Sequence, residues 1–136
     1  MATRASIIVT TLAVIAAAIL HAYSYIGEIS RVWLVAAMTC AVALFASLFA
    51  ASAWAVRGQK LPEAFNAYFR TVMGASPKSL RFLFLLPWFA GMLAIVRTMT
   101  TGVSHDVQFH TAWCLGISTM ALCFATGSRR ASPKNA

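Results

Sequence analysis

Apolar residues in this chain fall into four long runs separated by short polar stretches, at 7–27, 32–56, 77–100 and 108–127. The second runs from Val32 to Val56 without a charged residue. About 20 mostly apolar residues are enough for a helix to cross the hydrocarbon core of a bilayer. Inside lipid the backbone must satisfy its own polar groups, so each run predicts a membrane-spanning helix. A closed barrel would instead need many alternating strands, and no alternation is present. The strictly apolar parts of the third and fourth runs, from Leu80 to Val96 and from Phe109 to Thr126, are short, and local bilayer deformation accommodates them at modest cost.

Between the second and third runs the pattern changes. In 61–74, Leu61, Phe65, Tyr68, Phe69, Val72 and Met73 share one helical face, and Glu63, Asn66 and Arg70 share the other. Pro62 suits the first turn of such a helix and Gly74 its stop. An amphipathic helix like this lies in the headgroup layer, packs beneath a bundle, or docks a protein. Leu61, Phe65, Tyr68, Phe69, Arg70 and Met73 are therefore candidate lipid or partner contacts. Ser76 and Pro77 are expected as N-cap and first residue of the third span. The end of the chain, 128–136, reads as a disordered basic tail. The expectation is one all-α membrane domain: a four-helix bundle with a short amphipathic helix between spans 2 and 3.

Composition excludes a water-soluble fold. The chain has 136 residues, of which 60% are hydrophobic and 10% charged, against about 25% charged in soluble domains. Charge placement then sets an expected orientation. Of the 11 Lys and Arg residues, only Arg31 and Arg97 fall on the side of the first and third connections. Cytoplasmic loops are enriched in Lys and Arg, so both termini are expected in the cytoplasm, with a bacterial inner membrane as the location. Tyr23, Tyr25, Trp33, Trp54 and Trp113 sit near run ends, where half-wet aromatic rings concentrate. Trp88, beside Pro87, reads as a packing residue at a kink. "MATR" and Ala16–Ala18 resemble parts of a signal peptide; the first run is nevertheless expected to be kept as a span. The net charge of +8 fits orientation and attraction to anionic lipid headgroups. The basic residues are scattered among short loops, and no module remains to read a nucleic acid.

Candidate chemistry gathers at one end. His21, Glu28, Arg97, His105, Asp106 and His110 all belong to the expected outer third, and Cys114 lies one turn beyond His110. Three roles compete: a histidine satisfied by hydrogen bonds inside the bundle, haem or transition-metal ligation by His21 and His110 with Cys114, and proton or ion handling. No cofactor is required by the sequence, and Cys40, Cys114 and Cys123 form no CxxC pair. Helix packing in lipid uses small residues; Ala13, Ala17, Ala46, Ala50, Gly91, Ala112 and Gly116 are the candidates.

Catalytic motifs are absent: there is no phosphate loop, nucleophile elbow or HExxH, and Asp plus Glu number 3. No span has the lone mid-depth acidic residue that a small multidrug transporter would need. The expected role is a non-catalytic accessory, assembly or immunity-type subunit that binds a membrane-protein partner or a second copy of itself. The alternatives are a haem- or metal-binding electron-transfer anchor and a small oligomeric channel or transporter.

Overall fold

The structure, a computed structural model, describes residues 4–55 and 63–131, and every regular element among them is helical. In chain order these are α1 (Arg4–Tyr23), α2 (Arg31–Ala55), α3 (Glu63–Ala75), α4 (Lys78–Leu83), α5 (Leu85–Thr101) and α6 (Asp106–Ala131). Four stretches are long and apolar enough to cross a membrane: α1, α2, α4 with α5, and α6. Two bundle ends result. The histidine end carries the α1–α2 and α5–α6 connections; the α3 end carries Arg4, α3 and the last turns of α6.

The bundle is built around α6. In its span 61% of the residues are buried, against 11% in α1, 6% in α2 and 17% in α4–α5. α1, α2, α3 and α5 each pack along α6, while α1 and α2 touch each other only briefly. α6 is also the least apolar span, with mean hydropathy 1.3 against 1.9–2.3 for the others. The two facts explain each other: a helix enclosed by protein does not need large apolar side chains facing lipid. Its polar side chains close on their own helix. Thr111, Thr119 and Thr126 hydroxyls donate to the carbonyls of Val107, Leu115 and Leu122, at 2.9, 2.7 and 2.8 Å.

Small groups let the neighbours come close to α6. Ala17 of α1, Ala41 of α2 and Cys114 of α6 are buried together, and the Cys114 thiol faces the Ala37 carbonyl at 3.5 Å. On α5, Gly91 faces Ala112 and Phe109, and on α6, Gly116 faces Pro87 and Trp88. A methyl group added at either glycine meets its neighbours at ordinary van der Waals distance, 3.5 Å or more. Gly127 is different: a Cβ there would run into the backbone carbonyl of Val72. α3 thus sits directly on the last turns of α6, with Val72 and Phe124 fully buried.

Several expected boundaries move, each for a local reason. α1 stops at Tyr23, short of position 27, where Ser24 and the following turn close back on Leu20, Ala22 and Tyr23. The third span is broken at Phe84, between α4 and α5. Pro87 lacks the N–H that the Leu83 carbonyl would accept, and its ring crowds that same carbonyl. α3 continues through Gly74, whose α-carbon has open space around it, and ends before Pro77, which disfavours helix in the residue before it. Ser76 is not the N-cap of the next helix. Its hydroxyl donates back to Met73 at 2.9 Å, and Pro77 holds the N-cap position without a side-chain bond. Residues 128–131 belong to α6 and are not a disordered tail; Gly127 is pinned under Val72, and Arg129 and Arg130 suit the negative end of the helix dipole. Positions 56–62, including Leu61 and Pro62, and 132–136 lie outside the described residues.

Gly127 separates two kinds of close approach. Gly127→Ala should destabilise the bundle by about 1–3 kcal/mol, the usual cost of overpacking, because backbone has to move. Gly91→Ala and Gly116→Ala should not destabilise the bundle, because the added methyl groups fit and alanine is the better helix former by about 1 kcal/mol. Unfolding in mixed micelles measures all three.

Candidate functional site: a cleft and a polar seam at the histidine end

Two polar features occupy the histidine end, one facing inward and one outward. The inward feature joins the last turn of α1 to the first turns of α6. Thr111 Oγ1 lies 2.9 Å from His21 Nδ1, 2.9 and 3.1 Å from the Val107 and Gln108 carbonyls of its own helix and 3.4 Å from Ser24 Oγ, so it pairs the two helices through one hydroxyl. The Tyr25 hydroxyl approaches His21 Nε2 at 3.5 Å, with the two rings edge to face. One turn nearer the bundle end, Gln108 Nε2 donates to the Ser24 carbonyl at 2.8 Å. The Ser24 hydroxyl in turn donates to the His21 carbonyl at 2.6 Å. Ser24 and Thr111 are buried, so the seam satisfies polar groups that water cannot reach.

Against this seam, and sharing Ser24 and Gln108 with it, lies a half-open cleft of about 860 Å³ between the α1–α2 connection, the first turns of α2 and the start of α6. Glu28, Arg31, Asp106 and His110 line it at the level where the helices begin, and Leu34, Val35 and Met38 line it farther along α2. Arg31 and Met38 are seven positions apart, so the apolar part reaches about 10 Å deeper at 1.5 Å per residue. His110 Nδ1 donates to the Asp106 carbonyl at 2.6 Å, which fixes the ring against its own helix. The α5–α6 connection positions this wall. Gly102 takes a left-handed conformation, φ 69°, and returns its N–H to Thr98, closing α5 as glycine does at helix ends. The His105 N–H then donates to Thr98 Oγ1 at 3.1 Å.

The structure divides the candidate residues. It brings Glu28, Asp106 and His110 together at the cleft. His21 faces Thr111, and Cys114 is buried against Ala17 and Ala41. His105 folds onto its own connection, Nδ1 to the Val103 carbonyl at 2.7 Å, and Arg97 is exposed on α5. Among the described residues no three of histidine, cysteine, aspartate and glutamate gather closely enough to hold a metal ion. Of the packing candidates, Ala17, Gly91, Ala112 and Gly116 are buried and Ala13 half-buried, whereas Ala46 and Ala50 are exposed. On α3, Tyr68 and Phe69 lean on Phe124 with ring centroids 6.5 and 5.8 Å away; Met73 is half-buried and Arg70 exposed. The Phe65 side chain lies outside what the structure describes.

Sequence reasoning missed Arg31, Ser24, Gln108 and Thr111. A signal existed for the last two. Gln108, Thr111 and Ser118 recur at i, i+3 and i+10, one face of α6, within an otherwise apolar run. Arg31 was absorbed into the orientation count.

Compared with known proteins, the chain matches no family model, no curated protein and no solved structure.

Thr111→Val removes the hydroxyl that pairs with His21 and should cost about 0.6 kcal/mol and at most about 1.7 kcal/mol, the average and upper limit of interhelical hydrogen bonds in a membrane protein. A double-mutant cycle with His21→Leu should show the two losses coupled. Strict additivity would mean that the bond does not form in the membrane.

Proposed function

We propose that this chain is a non-catalytic subunit of a bacterial inner membrane, of accessory, assembly or immunity type, that binds a membrane partner through α2. One observation carries the reading. α2 is as long as a full span, yet it is held along a single face and only 6% of its span is buried. One exposed stripe of α2 carries small residues at helical spacing, Ala36, Cys40, Ala43, Ser47 and Ala50, beside exposed large residues such as Val35, Val42 and Phe49. Small residues let a second backbone come close, which is where helix association in lipid finds its energy. On α1 the stripe at the same spacing, Ile8, Leu12, Ile15 and Ile19, consists of large side chains suited to acyl chains.

The proposed orientation puts the α3 end in the cytoplasm. Arg4, Arg70, Lys78, Arg81, Arg129 and Arg130 lie at that end, and Arg31 and Arg97 at the other, in the direction of the positive-inside bias. The apolar face of α3 supports a connector that closes the cytoplasmic end of the bundle.

A photoreactive residue at Ala43 or Ser47 should yield a discrete adduct in native membranes, and one at Leu12 should yield none. Equal or absent adducts from both helices would remove the reading. The mass of the adduct tells a foreign partner from a second copy. An absorbance spectrum of the same purified material tests haem directly, since a Soret band lost in His21→Ala would replace a partner subunit with an electron-transfer anchor. Tags at both termini should be unreachable from outside intact cells.

A further inference from the structure

The cleft at the histidine end is unrelated to the α2 face used above, and its lining is chemically specific. We infer that it is a binding site for a zwitterionic phospholipid whose headgroup carries a primary ammonium, with phosphatidylethanolamine as its simplest form. Three observations point there.

The first is the charge set. Two acidic residues, Glu28 and Asp106, and one basic residue, Arg31, line the cleft. An ammonium needs carboxylate acceptors; a phosphate diester is matched by the planar donor fork of arginine. A purely anionic headgroup would meet two like charges, and a choline headgroup has no N–H to donate. The second is the gradient along α2. Charged and polar groups line the cleft at the helix starts, and Leu34, Val35 and Met38, with the single hydroxyl of Thr39, continue it toward the middle of the span. A ligand that fills it is polar at one end and apolar at the other. The third is depth. Tyr25 and Trp33, both exposed, flank the cleft in sequence, and such aromatic residues favour the headgroup level of a bilayer. An opening at that level faces lipid headgroups. The volume, about 860 Å³, falls within the range of sites that enclose small ligands.

The occupant is the intact lipid. The Arg31 guanidinium donates to the phosphate, Glu28 and Asp106 accept from the ammonium, and the glycerol end of one acyl chain lies over Leu34 and Met38. Occupancy ties the α1–α2 connection to the start of α6, since the carboxylates come from both. Neither Glu28 nor Asp106 is buried, so neutralising them leaves the inward seam of His21, Thr111 and Gln108 in place.

Native mass spectrometry of the full-length protein in mild detergent, with equal amounts of phosphatidylethanolamine, phosphatidylglycerol and phosphatidylcholine, tests the assignment. The wild-type chain should retain phosphatidylethanolamine at least about threefold over the others, as expected for partly exposed ion pairs. The double variant Glu28→Gln, Asp106→Asn should lose that preference, and Arg31→Gln should lower retention of every phospholipid. Soluble phosphoethanolamine should fail to displace the lipid. Equal retention by the wild-type chain overturns the inference, whatever the variants do. Unchanged selectivity in the double variant also overturns it, and so does displacement by the free headgroup, which would make the acyl chain irrelevant. Circular dichroism on each variant establishes that a lost preference is not a lost fold.

Discussion

Lipid gives a helix no hydrophobic reason to leave it for another helix, so this bundle depends on how closely its neighbours can approach α6. α6 supplies that access. Most of its buried residues are small, among them Ala112, Cys114, Gly116, Ser118, Ala121, Ala125 and Gly127, and the large ones, Leu122 and Phe124, lie toward the α3 end. Its threonine hydroxyls return to the preceding turn, so polar side chains enter the centre without orphaned groups. Packing of this kind replaces the burial energy that drives a soluble bundle, and the other helices can keep their large side chains toward the acyl chains.

The four neighbours are held by different means. α1 is joined by hydrogen bonds, from His21 to Thr111 and from Gln108 to Ser24. α2 rests on the alanine and cysteine contact around Ala41. α5 presents Trp88, which stands edge to face with Trp113 at 4.6 Å, next to the break caused by Pro87. The Trp88 indole N–H is buried without a hydrogen-bond partner among the described residues. α3 is set backbone to backbone at Gly127. The directional bonds therefore concentrate at the histidine end, beside the cleft, and the tightest steric fit lies at the opposite end.

Existence and type of the spans were legible because a run of apolar residues is a strong signal and lipid permits few structures. Helix ends were less so. Pro87 was recognisable as a kink, but the break appears three residues earlier, at Phe84, next to the Leu83 carbonyl that lost its partner. Gly74 looked like a stop, yet nothing crowds it and the helix runs on. Small residues were abundant in every span, so spacing alone did not tell Ala17 and Gly116, which are buried, from Ala46 and Ala50, which are exposed. The hub could have been read from what α6 lacks: it is the run with the most polar positions, and in lipid those must face protein. Glu28, Asp106 and His110 were found together because all three sit at span ends on one side. His21 and Cys114 parted from them because a helix turns about 100° per residue, and Thr111 rather than His110 points at α1.

Few contacts join α1, α2 and α5 to one another; each leans on α6. The order of synthesis gives that arrangement a temporal meaning. Of the four stretches of spanning length, α6 is the last to leave the ribosome, so the helix on which α1, α2 and α5 all lean is made after them. The bundle closes around its hub in one late step, once 106–131 has been synthesised.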